Sequence, residues 1–235
     1  MDANLLVAVI YFDDEERTAR RFDESVSLAG RREMKDPFIW RRVDQRAVLR
    51  AWAIAEATSA KKPLEQAVMQ ARGPTGLSAK ILAGRHAKIT ETEWQWLEQS
   101  ILEVRRALLH GLIRLRPDWY EGEVPIIFLE DMRFFKLSDW VRKVPSRQFA
   151  DLVMSRERPA GNEPEFRGFA TSIERPIAAG PSLDGPFCLL EGYTRCGCLL
   201  RDYRAGFSSL DRLPMMIGVT PRIAEWSDGH GHLWW

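Results

Sequence analysis

The chain has 235 residues, of which 45% are hydrophobic and 29% are charged, and its formal net charge is +1. This length allows one large domain or two modest ones with a hydrophobic core. The near-neutral net charge excludes a general electrostatic attraction to nucleic acid. Three cysteines do not make a disulfide framework, which predicts a reducing, cytoplasmic setting, and the apolar runs are too short for a membrane span.

Helices dominate the expected structure of the first half of the chain. Asp36-Pro37 is a favourable cap and first residue for a helix. Thr90 and Glu93 form a capping box, and the apolar side chains behind it recur at steps of three and four. The predicted helices are residues 36–57, 62–72, 78–83 and 90–114.

The second half alternates short apolar runs with glycine and proline, which predicts strands, turns and a few helices. The predicted strands are residues 124–129, 175–179, 187–190 and 213–219. The predicted helices begin at Ser138, at Gln148 and at Thr194, and the last of them continues to Arg204. We therefore expect an α+β protein, with a helical N-terminal region over residues 1–116 and a mixed α/β region over residues 121–235.

The most informative stretch is a buried strand, a glycine turn and a helix with an arginine on its first turn. Phe187 to Leu190 suits the strand, and Gly192 allows a sharp bend. The N–H groups at the start of the next helix, with Arg195 beside them, favour an anion such as phosphate. The alternative is that Gly192 only makes the turn and Arg195 only pairs with a local carboxylate.

The order of elements in the second half resembles the ParB/sulfiredoxin-like superfamily. The resemblance rests on successive pieces of sequence that end in a helix-opening arginine and a closing strand. These pieces are Arg175-Pro-Ile-Ala-Ala179, Asp184-Gly-Pro186, Phe187 to Glu191, Gly192-Tyr-Thr-Arg195 and Leu213-Pro-Met-Met-Ile-Gly-Val219. The resemblance implies a small mixed sheet with flanking helices and a nucleotide or phosphate pocket at the Gly-x-x-Arg corner.

The resemblance also implies roles for the residues of this corner. Gly192, Tyr193, Thr194 and Arg195 would form the nucleotide-binding turn, with Arg195 gripping a phosphate. Glu191 would hold Mg²⁺ or polarise a hydroxyl acceptor. Tyr193 stands where a sulfiredoxin carries its catalytic cysteine, which argues against sulfiredoxin chemistry.

Glu130 is a second candidate catalytic carboxylate, because it follows a predicted strand end at a position that often faces the pocket in the resembling fold. Its role would be to help bind Mg²⁺ or the substrate. A surface ion pair is the alternative for this residue.

Three functions fit these expectations. The first is binding of a nucleotide, ATP or CTP, with Mg²⁺-dependent hydrolysis or phosphoryl transfer. The second is a DNA-associated nuclease or binding module that uses arginines of the helical half, such as those between Arg41 and Arg50. The third is a catalytically inactive module that binds a protein partner or forms a homodimer. The many tryptophans favour this third function, because indoles are common at protein contact surfaces. A bacterial or phage accessory protein fits any of the three.

The last three residues of the sequence are strongly apolar. Leu233-Trp-Trp235 places two indoles next to each other, and exposed indoles are costly to leave in water. We expect this end to dock on a core or on a partner.

Overall fold

The computed structural model describes residues 39–58, 74–136, 139–142, 144–152, 175–208, 210–227 and 232–234. The predicted helix at 62–72 lies outside these residues, as do the start of the predicted helix at Asp36 and the end of the one at Gln148.

One mixed sheet organises the described residues, in the order β1-β2-β6-β4-β5-β3. Its strands are β1 (Arg41–Val43), β2 (Asp118–Pro125), β3 (Arg133–Phe134), β4 (Ile177–Gly180), β5 (Cys188–Glu191) and β6 (Arg212–Val219). The pairs β4–β6 and β3–β5 are parallel, and the remaining neighbours are antiparallel. The last three predicted strands are confirmed to within two residues.

The described α-helices are α1 (Gln45–Thr58), α2 (Leu77–Leu82), α3 (Glu91–Val104), α4 (Arg106–Arg114) and α5 (Tyr193–Arg204). The predicted capping box is confirmed: the Thr90 hydroxyl accepts from the Glu93 N–H at 3.3 Å, and the Thr90 N–H donates to the Glu93 carboxylate at 2.7 Å. The predicted helix over 90–114 is instead two helices, because the backbone turns at Arg105 (φ −107°, ψ 24°).

The start of α1 differs from the prediction. Residues 41–43 form the edge strand β1 against β2, and Asp44 Oδ1 accepts a hydrogen bond from the Ala47 N–H at 2.8 Å. Asp44 therefore caps the helix, which begins eight residues after the predicted first position, Pro37.

Other helix and strand boundaries also differ from the predictions. The predicted strand at 124–129 lies earlier, in β2, and residues Ile126–Asp131 are a 3-10 helix. The predicted helices at Ser138 and Gln148 are short 3-10 turns over Asp139–Arg142 and Phe149–Asp151 in the described residues. Sheet pairing with β6 decides the first difference, since it fixes β2 at Asp118–Pro125.

Both faces of the sheet are buried. Met216, Ile177 and Leu190 pack with the helices of the first half in one cluster. Leu213, Met215 and Ile217 pack with α5 and the 3-10 segments in a second cluster. This alternation along β6 places the sheet between two layers, so the architecture is α+β, as predicted.

The described part of the C-terminal end docks as predicted. Leu233 and Trp234 are buried in the same cluster as the first-half helices, and the Leu233 carbonyl accepts a hydrogen bond from the Lys136 N–H at 3.0 Å. Among the described helices, none is both long and apolar enough to cross a membrane.

Candidate anion-binding site

The predicted strand–glycine–helix corner is confirmed. β5 ends at Glu191, and Gly192 caps α5 with φ 96° and ψ 13°, a left-handed conformation that favours glycine. A Cβ at position 192 would also lie 3.1 Å from the Cβ of Pro176, just before β4. Both observations explain why the turn needs glycine, and they place the start of α5 against the start of β4.

Arg195 and Glu191 face each other across this corner. Arg195 Nη2 lies 3.6 Å from Glu191 Oε1, and the side chains are 20% and 15% exposed. The separation is that of an ion pair rather than a close hydrogen bond. Solvent therefore reaches both groups, which are held on the first turn of α5 and at the end of β5.

Two residues from the helical half complete a buried charge cluster at this corner. Arg105, between α3 and α4, donates from Nε to Glu56 Oε1 on α1 at 2.7 Å, and its Nη2 donates to the same oxygen. The Glu56 side chain is fully buried. We call Glu56, Arg105, Glu191 and Arg195 the corner cluster. Sequence reasoning did not place Glu56 or Arg105 at this corner, although an acid within the apolar run Ala51-Trp-Ala-Ile-Ala-Glu-Ala57 is a usable signal of a buried charge at Glu56.

The corner cluster shifts the titration of both its acids. Burial raises the pKa of Glu191, the nearby charge of Glu56 raises it further, and Arg195, Arg105 and the Gly192 N–H oppose this. Burial also raises the pKa of Glu56, against the opposing effect of Arg105. Two close acids, of which Glu56 is fully buried and Glu191 largely so, favour a state in which one of them keeps its proton.

A glutamine at position 191 tests the sign of this shift. A carboxyl whose pKa is raised by folding stabilises the fold fully below its ordinary pKa of 4.5 and loses that contribution as the pH rises through the folded value. We expect the free energy of unfolding of the wild type to fall relative to Glu191→Gln as the pH rises from 4.5 toward neutrality. Urea unfolding of both proteins across this range measures the difference, and a wild type that keeps a constant stability relative to Glu191→Gln, or gains stability relative to it, contradicts the assignment.

The side chain of Tyr193 is used in packing. Its hydroxyl donates to the Leu189 carbonyl, and its ring stacks on Phe134 with centroids 5.4 Å apart and an interplanar angle of 21°. Thr194 is half-buried on the same turn. Tyr193 is therefore engaged in packing contacts, and Arg195 is the residue of the predicted nucleotide-binding turn whose charged group lies at the corner, beside Glu191.

Glu130 is not brought next to Glu191. Its carboxylate accepts a hydrogen bond from Arg204 Nε at 2.8 Å, at the C-terminal end of α5. α5 has 12 residues, so about 18 Å of helix separates the two acids. The surface ion pair is the arrangement observed for Glu130.

The arginines of the predicted basic stretch are paired with acids. Arg41 and Arg42 pair with Glu121 and Asp118 across β1 and β2. Arg46 and Arg50 on α1 pair with Glu91 and Glu98 on α3. These pairs reduce the positive field that this stretch would offer to DNA.

The cysteines are free, and all three are buried. Burial raises the pKa of Cys188 and that of Cys196 to about 12. The thiols of both residues therefore stay protonated at neutral pH and pack as small apolar side chains.

Within the described ranges, no group of three or more histidine, cysteine and acidic side chains could hold a metal ion. Comparisons with protein-family models, with curated proteins and with solved structures gave no match. The ParB/sulfiredoxin-like resemblance therefore stays a prediction from the sequence.

Proposed function

We propose that the chain binds a nucleotide through its phosphates at the start of α5. The observation that carries this proposal is the position of Arg195, which lies on the first turn of a 12-residue helix, next to a left-handed glycine, with 20% of its side chain exposed. N–H groups of a first helical turn and a guanidinium together form a favourable environment for phosphate oxygens.

The residues of the corner suit a Mg²⁺-bound nucleotide. Mg²⁺ is held in proteins by one or two carboxylates together with substrate phosphates, and Glu191 supplies such a carboxylate beside Arg195. When bound, the metal would neutralise charge on the phosphates. Arg195 would orient the terminal phosphate, and the burial of the corner cluster would strengthen these charge interactions.

Where Glu191 does not hold the metal, it would act instead as the proton acceptor for hydrolysis or phosphoryl transfer. Its pKa is raised by burial and by the charge of Glu56, which moves the carboxyl toward the pH at which a general base works best. Arg105 and Glu56 would hold the corner cluster in place from the helical half. The reaction class is therefore nucleotide hydrolysis or transfer to a hydroxyl acceptor.

A thermal-shift screen of ATP and CTP, with and without Mg²⁺, tests the proposal. A ligand at about 100 times its dissociation constant stabilises the native state by about 2.7 kcal/mol, so a nucleotide that binds raises Tm. We expect a Tm increase in the wild type that Arg195→Ala abolishes.

Arg204→Ala is the matched control for this experiment. Arg204 lies on the same helix and pairs with an acid as Arg195 does, but at the opposite end. Arg204→Ala should keep the full increase in Tm that the nucleotide produces in the wild type. An unchanged shift in Arg195→Ala, or equal losses in both variants, overturns the proposal.

A further inference from the structure

A groove of about 520 Å³ lies between α1, α3 and the sheet. We call it the α1–α3 groove. Its volume falls in the range of small-molecule sites in proteins, about 300–1,000 Å³. The lining side chains come from five separate parts of the chain, and they are Asp44, Arg46, Ala47 and Arg50, then Glu91 and Trp94, and then Glu121, Arg175 and Met216.

The charges that line the groove cancel. Three arginines and three acids line it, and Glu121 on β2 pairs with Arg175, which lies just before β4. A wall that holds both donors and acceptors suits a ligand part that is neutral and carries both kinds of group. A phosphate would meet as many negative side chains as positive ones here.

One side of the groove has flat surfaces. The Arg50 guanidinium lies over the Trp94 ring, 5.0 Å from its centroid, and the Arg50 side chain is 23% exposed. Bases in protein complexes stack on aromatic rings and on guanidinium planes. The exposed part of Arg50 offers such a plane.

Two stretches of chain connect the groove to the corner cluster. Arg175 lines the groove, and its chain neighbour Pro176 packs against Gly192. Along α1, Arg50 lines the groove and Glu56 belongs to the corner cluster, six residues further on, which is about 9 Å of helix.

We propose that the α1–α3 groove binds the base of the nucleotide whose phosphates bind at Arg195. This inference rests on the proposed function and adds the second half of the site. The base stacks on Arg50, and its polar edge meets Arg175 and Glu121. α1 thereby supplies the stacking surface, Glu121 on β2 and Arg175 just before β4 supply the polar contacts to the base, and α5 supplies phosphate binding.

Calorimetric titration with MgATP, MgCTP and magnesium tripolyphosphate tests the inference, because tripolyphosphate has no base. In the wild type we expect at least one nucleotide to bind about tenfold or more tightly than tripolyphosphate, which is about 1.4 kcal/mol. Arg175→Ala should bring the nucleotide to the tripolyphosphate level and leave tripolyphosphate affinity unchanged. Arg50→Lys, which keeps the charge but loses the plane, should lower nucleotide affinity alone.

Arg41→Ala is the matched control. Arg41 and Arg175 both pair with Glu121, but only Arg175 is among the groove residues, and Arg41 is 77% exposed. Arg41→Ala should keep the preference for the nucleotide. Equal binding of nucleotide and tripolyphosphate by the wild type, or a preference that survives in both Arg175→Ala and Arg50→Lys, overturns the groove assignment alone. Absence of binding by all three compounds overturns the phosphate site as well.

Discussion

Replacing Arg105 with alanine is expected to lower the free energy of unfolding by about 3–5 kcal/mol. Arg105 is the hydrogen-bonded partner of Glu56, whose side chain is fully buried. Without the guanidinium, a buried carboxylate loses its compensating charge, and this is far more costly than the loss of an exposed pair. Urea unfolding at about pH 8 measures the effect.

The pH dependence of this loss separates a charge effect from a packing effect. Burial already raises the pKa of Glu56, and without Arg105 the carboxyl would take up a proton more readily. The loss of stability should therefore be smaller at about pH 5, and Glu56→Gln combined with Arg105→Ala should recover part of it.

The neighbouring exposed residue Arg106 gives the control, since Arg106→Ala should change the free energy of unfolding by no more than about 0.5 kcal/mol. A loss in Arg105→Ala that is equal at both pH values contradicts the charge account.

Replacing Gly111 with alanine is expected to destabilise the protein by about 2 kcal/mol or more, although alanine in a helix interior is ordinarily about 1 kcal/mol better than glycine. A Cβ at position 111 would lie 1.9 Å from the backbone carbonyl oxygen of Ser227. The adjoining Trp226 is fully buried, and its Nε1 donates to the Leu108 carbonyl at 3.1 Å. The added methyl group would therefore have to displace a docked backbone segment.

Thermal unfolding of Gly111→Ala and of His110→Ala, an exposed neighbour on α4, measures this effect. His110→Ala should stay within about 0.5 kcal/mol of the wild type. A gain of stability in Gly111→Ala would mean that residues 226–227 do not pack closely against α4.

Local sequence signals predicted the elements around the corner. The glycine with a positive φ, the capping box at Thr90 and the apolar runs of β5 and β6 are each determined within a few residues of chain. Such signals are read directly from sequence because their causes are local backbone sterics and capping hydrogen bonds.

The features that sequence reasoning missed depend on distant partners. β1 forms a strand because it pairs with β2, about 80 residues away in sequence. α3 and α4 separate at Arg105, whose side chain bonds Glu56 at a sequence distance of 49 residues. Neither pairing leaves a periodic pattern in the sequence, so both the strand and the break in the predicted long helix were beyond local reasoning.

The same limit applies to the site. The sequence predicted Glu191, Gly192 and Arg195 at one corner, and the structure brings them together there. It also gave Glu130 as a second carboxylate for the pocket or as a surface ion pair, and the structure shows the ion pair with Arg204, at the opposite end of α5 from Glu191. For the first half, an acid within an apolar run signals a buried charge at Glu56, but its meeting with Arg105 and Glu191 follows only from the packing of α1, α3 and α4 on the sheet.

The most direct test of the central claim is the mapping of amide chemical shifts during titration with MgATP and with MgCTP. Phosphate binding at the start of α5 predicts that the largest shifts occur at the backbone amides of residues 192–196, and that they vanish in Arg195→Ala. Largest shifts at the opposite end of α5, around Arg204, or no shifts with either nucleotide, would contradict the account.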